Sequence, residues 1–277
     1  MAEPRPAPTS DFKTFEHEGW ERVALPYRDA FSSLTAQTIE PLLDAAGTRP
    51  GTRLLDVACG PGDAAAAAAK RGARVTGIDF AKSMVLQATR LHPLVEFRVG
   101  DAEALPFDPG RFDGVVINFG ILHFADPERA IAEAHRVLRP AGRLAFTVWT
   151  PPEKAAGFAI VLRAIETHGR MDVPLPEGPP FFRFADPAES RRVVEGAGFE
   201  SVEVRELPLV WRLETPEDLF DAFWEGGVRT RGLLRAQSPA AIAAIREAIR
   251  AEAARHAREG TVELAMPAVL TAGVKRG

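Results

Sequence analysis

The stretch LLDVACGPGD, residues 54–63, limits this chain more tightly than any other. Leu54, Leu55 and Val57 flank Asp56 in a short apolar run, Gly60 and Gly62 interrupt it, and an unbroken alanine run from Ala64 to Ala69 follows. The spacing predicts a strand, a glycine loop and a helix, a unit that is stable only when repeated and covered by further layers. Glycines let the backbone approach a ligand closely, and the helix N-terminus behind them offers free N–H groups and a positive dipole end. A pyrophosphate and a carboxylate both suit such a loop.

The unit recurs. TRLLDVA (52–58), ARVTGID (73–79), LVEFRVG (94–100), FDGVVIN (112–118) and RLAFTVW (143–149) read as five strands. Between them, Met84, Ala88 and Leu91 recur at helical spacing. Asp126 is placed to cap a helix that has Pro127 in its first turn and Ile131, Ala134, Val137 and Leu138 on one face. Strands alternating with helices through short connections imply a parallel sheet covered on both faces.

Beyond Trp149 the alternation weakens. A helix is expected near 154–168, then the proline- and aromatic-rich DVPLPEGPPFFRF (172–184), then a helix from Pro187 to about Ala197 that Gly198 stops. SVEVRELPLVWRL (201–213) reads as one strand. Helices follow to about Arg258, the last started by Ser238–Pro239. TVELAMPAVLTAGV (261–274) reads as a closing strand in which Pro267 implies an edge or a bulge. Residues 1–11 are expected to fray, and Phe12 to Ala46 to be helical.

Composition removes whole classes of function. A duplex binder needs a basic face, and a net charge of −4 gives no sign of one, although it is compatible with a local patch. Cys59 is the single cysteine, which excludes an internal disulfide and a multi-cysteine zinc site; no metal is expected. No apolar run reaches membrane-spanning length, and the N-terminus lacks the basic-then-apolar order of a signal peptide. The expectation is a cytoplasmic protein with no membrane or nucleic-acid partner, a monomer or a homodimer.

Three strand ends carry acidic groups. Asp56 lies just before the glycine loop, where it can hold a cationic amino group. Asp79 closes the second strand, where a carboxylate can accept both hydroxyls of a ribose. Asp101 follows the third in GDAEALPF, where its side chain and the Ala102 N–H can read the edge of an adenine. Ligands of such sheets bind at the carboxyl ends of the strands.

On LLDVACGPGD, GIDFAKSM, VGDAEALPF and FDGVVINFGILHFADPERAIAEAHRVLRPAGRLAFTVW, the chain resembles class I S-adenosylmethionine-dependent methyltransferases, in particular the ubiquinone/menaquinone-biosynthesis-like small-molecule branch. The match runs from about 52 to 149 and continues more loosely through FADPAESRRVVEGAGFESVEV. It departs from the family loop at Ala58, where a glycine is usual. The resemblance implies an α/β fold: a doubly wound, Rossmann-like, mostly parallel seven-stranded sheet with a helical N-terminal lid and a helical C-terminal insertion. It divides the chain into a lid (1–46), a cofactor-binding core (47–150) and the rest of the sheet with a substrate cap (151–277, the cap about 154–184 and 215–258).

The cofactor it implies is S-adenosyl-L-methionine and the partner a small-molecule acceptor. Ala58, Gly60 and Gly62 would line the methionine part, with Asp56 near its amino group. Asp79 would bind the ribose, Phe80 and Met84 would flank the adenine, and Asp101 and Ala102 would contact the base. Asn118 and Phe119 would lie beside the transferred methyl. Tyr27, the only tyrosine, would come from the lid to the sulfonium region, where an aromatic face favours a cation. His123 is the one histidine placed at the reacting face, as a base or a pocket wall. Phe181, Phe182, Phe184, Trp211, Phe220, Phe223 and Trp224 are candidates for the acceptor pocket, although several must be core because large aromatics usually are.

Two rival readings share this sheet. A nicotinamide-dependent oxidoreductase is disfavoured because the loop lacks G-x-G-x-x-G spacing, and a non-catalytic S-adenosylmethionine-binding protein remains compatible with the motifs. An amino-base nucleic-acid methyltransferase is disfavoured because Asn118 is followed by Phe119–Gly120 rather than N-P-P-aromatic.

Overall fold

A computed structural model describes residues 8–277. It begins with a long helix α1 (Pro8–Thr35) and a short α2 (Ile39–Ala45). The alternating core follows: β1 (Arg53–Val57), α3 (Asp63–Lys70), β2 (Arg74–Asp79), α4 (Lys82–Leu91), β3 (Glu96–Val99), β4 (Phe112–Asn118), α5 (Pro127–Val137) and β5 (Leu138–Trp149). Next come α6 (Ala156–His168), α7 (Pro187–Gly196), β6 (Phe199–Leu207) and β7 (Val210–Leu213). Helices α8 (Glu217–Gly226), α9 (Arg229–Arg235) and α10 (Pro239–Ala254) precede β8 (Ala257–Arg258), β9 (Thr261–Ala265) and β10 (Ala268–Lys275).

Seven strands form one sheet in the order β3-β2-β1-β4-β5-β10-β6, with β1 to β5 mutually parallel and β10 antiparallel to both neighbours. The chain order reverses between β1 and β4, and the crevice above that switch point is where such a sheet takes a ligand. The interior strands are nearly continuous apolar runs because both faces are covered: Leu54, Leu55, Val115, Val116, Leu144 and Phe146 are all fully buried.

Helix ends follow the predicted chemistry. Asp126 accepts the Arg129 N–H at 3.0 Å, and Ser238 Oγ accepts the Ala241 N–H at 3.2 Å, each one residue before a proline. Helix α4 is capped differently. The Glu21 carboxylate, from α1, accepts the Lys82 and Ser83 N–H groups at 2.6 and 3.0 Å, so α1 is tied across the sheet edge by a helix N-terminus.

Three local expectations need correction. Residues 8–11 belong to α1 instead of fraying; residues 1–7 lie outside the described residues. The run 201–213 is two strands, because Pro208 has no N–H to donate and the chain leaves the main sheet there. The run 261–274 is likewise split around Pro267: β10 enters the interior of the main sheet, where a proline would break the ladder, while β9 pairs with β7 and β8 in a separate three-stranded sheet. That small sheet was not foreseen. Among the described residues, no helix is long and apolar enough to cross a membrane.

Candidate active site

The β1–α3 loop opens the site. Ala58 and Gly60 both have positive φ, 53° and 52°, and a Cβ built on Gly60 meets nothing within 4 Å, so the loop leaves open space above its backbone. Gly62 starts α3 with φ 88°, and a Cβ there would come within 2.7 Å of the Phe97 ring. Asp79 closes the loop from the side. Its two oxygens accept the Gly60 and Ala81 N–H groups, each at 2.9 Å, and burial pushes its pKa up to about 6 against those two bonds.

Ala58, Gly60 and Asp79 line a cleft of about 680 Å³, open mouth included, with Phe80, Met84, Asp101, Ala102, Asn118, Phe119 and His123 on its walls. Helix α1 lies across it and contributes Lys13, Trp20 and Tyr27. Lys13 Nζ donates to Asp101 Oδ2 and Glu103 Oε2, both at 2.6 Å. Burial pushes the Tyr27 hydroxyl up to about 12, so it stays a neutral phenol. Asn118 Oδ1 accepts the hydroxyls of Thr38 and Thr147 at 2.7 and 2.6 Å, which holds the residues after α1 against the tip of β4. Phe119 has φ 56°, strained for an aromatic, and its ring stacks on Trp149 with centroids 3.9 Å apart.

Asp56 stands behind the cleft, 1% exposed. Neither of its oxygens meets a described partner at hydrogen-bonding geometry, and the Ala65 N–H tempers its charge only in part. Burial pushes its pKa up to about 8, with the Asp79 and Asp63 charges adding to the effect. A buried carboxyl without a partner is costly unless a ligand supplies one.

A second cavity adjoins the first. Phe31, Trp149, Phe158, Phe181 and Phe223 wall it, with Gly226 to Thr230 along one side. Trp20, Tyr27, Phe119 and His123 border both cavities. The His123 ring is met edge-on by Trp20 at 4.8 Å and by Phe181 at 5.9 Å.

Under this junction lies a buried charge cluster. Glu16, on α1, is 0% exposed. Its Oε2 is 3.0 Å from His123 Nδ1 and accepts the Trp20 indole N–H at 3.1 Å. Its Oε1 accepts Arg229 Nε at 2.8 Å. The two Nη groups of Arg229 donate to the Pro179 and Leu122 carbonyls, and the guanidinium lies 4.4 Å over the Phe12 ring. Burial alone would raise the Glu16 pKa, but His123 and Arg229 outweigh it and hold the carboxyl below its ordinary value.

Residues 55–146 match a family model described as a methyltransferase domain. This stretch is similar to a methyltransferase domain. The chain is 41% identical over 121 residues to a demethylmenaquinone methyltransferase of Beutenbergia cavernae, covering 42% of this chain and 50% of the relative. It is 44% identical over 127 residues to one of Thermus thermophilus, covering 44% and 57%. The chain thus spans about half the length of the curated relatives it matches. The fold agrees with that of phosphoethanolamine N-methyltransferase 2 of Haemonchus contortus, solved with phosphomonomethylethanolamine and S-adenosylhomocysteine (TM-score 0.58, 19% identity, 96% of this chain and 60% of that one). The resemblance read from the sequence and the doubly wound seven-stranded fold are both borne out.

Within the matched stretch, Ala58, Gly60, Asp79, Phe80, Met84, Asp101, Ala102, Asn118, Phe119 and His123 come together on one cleft, joined from α1 by Tyr27. Asp56 and Gly62 sit behind the lining. Of the aromatic acceptor-pocket candidates, Phe181 and Phe223 wall the second cavity, while Phe184 and Phe220 are buried in the core. Phe182 faces an outer groove, Trp211 is 1% exposed in the core against Phe31 and Phe223, and Trp224 stacks on Phe220 under Arg235. Trp211 packs between Phe31 of α1 and Phe223 of α8, and Trp224 turns toward Arg235 of α9, so neither tryptophan reaches the cavity that Phe223 walls. Sequence reasoning picked out the lid segment that holds Trp20 and Tyr27 but missed Lys13, Glu16, Glu103 and Arg229. The i, i+4 pair Glu16–Trp20 in FEHEGW was the available signal, since it puts an acid and an indole on one helix face.

Proposed function

We propose that this protein is an enzyme that transfers a methyl group from S-adenosylmethionine to a small, largely apolar acceptor. The observation that carries the reading is the junction of two cavities, a polar-edged cleft over the β1–α3 loop and an aromatic chamber, at Trp20, Tyr27, Phe119 and His123.

The cleft suits the cofactor. Gly60 leaves space for the methionine part, and Asp56 is a buried acid in need of a cationic partner. Asp79 is placed for ribose hydroxyls, and Asp101 with the Ala102 N–H for an adenine edge between Phe80 and Met84. The faces of Trp20 and Tyr27 favour a cation. When bound, S-adenosylmethionine supplies a methyl group whose bond to sulfur breaks with both electrons going to sulfur, so the acceptor contributes an electron pair and sheds a proton.

The chain's own groups do three things. The aromatic chamber binds the acceptor and excludes water. Trp20, Tyr27 and Phe119 orient it at the junction, where positioning alone can supply on the order of 7–11 kcal/mol. His123 receives the proton. In this reading residues 1–46 act as the lid, 47–150 as the cofactor-binding core and 151–277 as the remaining sheet and cap. The reading takes the protein as cytoplasmic, in keeping with its single cysteine, and the net charge of −4 gives no sign of a nucleic-acid partner.

The test is incubation with methyl-labelled S-adenosylmethionine and pooled phenols, amines and quinone precursors, read by mass spectrometry. A labelled small-molecule product is expected, together with calorimetric binding of S-adenosylhomocysteine. Absence of both would sink the proposal.

A further inference from the structure

Glu16 belongs to the long N-terminal helix, yet its carboxylate is fully buried between the half-buried His123 ring, the Trp20 indole and Arg229 at the start of α9. Trp20 Nε1 and Arg229 Nε can only donate, so both carboxylate oxygens are already accepting. The group opposite His123 Nδ1 is therefore an acceptor, and that nitrogen must carry its proton. Among the described residues no hydrogen bond engages the other ring nitrogen, and the ring borders both cavities.

We infer that Glu16 is a positioning residue that fixes the neutral His123 ring as its Nδ1–H tautomer and so turns the Nε2 lone pair toward the junction of the two cavities. The inference rests on the methyltransferase reading for its purpose but not for its geometry. Proton transfer then balances within the chain: the acceptor's bond to hydrogen breaks, Nε2 takes the proton, and the carboxylate of Glu16 faces the positive ring that results. Arg229 keeps Glu16 ionised in its buried setting. Because Glu16 sits on α1, the base is correctly oriented only while that helix lies across the cleft.

Glu16→Gln separates this role from a packing role. The Gln side chain fills the same space but can accept on one side only. A hydrogen bond to a charged donor is roughly twice as strong as a neutral one, so the amide oxygen turns to Arg229, the Trp20 indole N–H gives up its acceptor, and the amide NH2 faces His123 Nδ1. That nitrogen must then accept, and the proton moves to Nε2.

The experiment is a long-range proton–nitrogen NMR spectrum of the full-length 15N-labelled protein at alkaline pH, where imidazole is neutral, with the His123 signals assigned by their loss in His123→Asn. The Nδ1–H pattern is expected in the wild type and the Nε2–H pattern in Glu16→Gln. Wild-type protein with its proton on Nε2, or an unchanged pattern in Glu16→Gln, would overturn the inference; the wild-type spectrum decides alone should the variant not fold. Calorimetry with S-adenosylhomocysteine is run alongside, with affinity in Glu16→Gln expected within about threefold of wild type. A wild type that binds none of it defeats the methyltransferase reading and leaves the tautomer result standing.

Discussion

Lys13 Nζ lies 2.6 Å from the Asp101 carboxylate, with the Glu103 carboxylate at the same distance, so the first helix places its own cation at the point assigned to the adenine edge. Burial works against charge on Lys13, but the two carboxylates outweigh it and raise its pKa. A base reaching Asp101 must compete with this amine. The pair is about one-third exposed, so breaking it costs only about 0.2–1 kcal/mol. Lys13→Met is expected to tighten S-adenosylhomocysteine binding by roughly 1.5- to 5-fold and to flatten its salt dependence, read by calorimetry at two salt concentrations. Weaker binding would show that Lys13 helps to hold the ligand.

Asp79 makes the opposite case. Its carboxylate fixes the Gly60 and Ala81 N–H groups and faces the cleft. Hydrogen bonds to a charged group are worth about 1.5–3 kcal/mol, so Asp79→Ala is expected to weaken S-adenosylhomocysteine binding at least about tenfold. Circular dichroism should remain native, because the sheet does not depend on this side chain. Unchanged calorimetric affinity would remove Asp79 from the site.

Asp56 predicts a pH dependence. Its carboxyl has a folded-state pKa of about 8 against an ordinary 3.8. As pH rises from about 4 the unfolded chain releases this proton first, so the folded state loses stability, by at most about 1.4 kcal/mol per pH unit, until the folded carboxyl ionises as well near pH 8. Asp56→Asn removes that loss. Its melting temperature without ligand is expected to exceed the wild type's by a margin that grows from about pH 4 to pH 8 and is level above, while its affinity for S-adenosylhomocysteine falls. A margin independent of pH would place the charge of Asp56 elsewhere.

Ala58 stands where the family's loop usually has glycine, and its φ of 53° lies in the left-handed region. That conformation costs a non-glycine residue about 1–2 kcal/mol, while glycine's greater freedom in the unfolded chain returns about 0.5–1 kcal/mol of the gain. Ala58→Gly is expected to stabilise the protein by up to about 1 kcal/mol in a denaturant titration with unchanged slope. Destabilisation would mean that the methyl group's packing outweighs the strain.

His123→Gln tests the proton-accepting role directly. General-base removal typically costs about 100- to 10,000-fold, so methyl transfer to any acceptor found in the pooled screen should fall at least that far while S-adenosylhomocysteine affinity changes less than about threefold. Full activity would leave His123 as a wall of the pocket.

The sequence by itself determined the alternating core and the strand tips that bear Ala58, Gly60, Asp79, Asp101 and Asn118. Strand period, glycine loops and helix caps are properties of contiguous residues, and a parallel sheet brings successive strand ends to one edge whatever surrounds it. Tertiary structure decided what covers that edge. Glu16 meets His123 across 107 positions and Arg229 across 213, and no local period records such pairings. The same holds for Trp211, whose aromatic character fits a pocket or a core equally, and for the split runs at Pro208 and Pro267. Those prolines mark where a strand must stop, but the identity of the sheet that each half joins depends on which edges are left unpaired once the whole chain has packed.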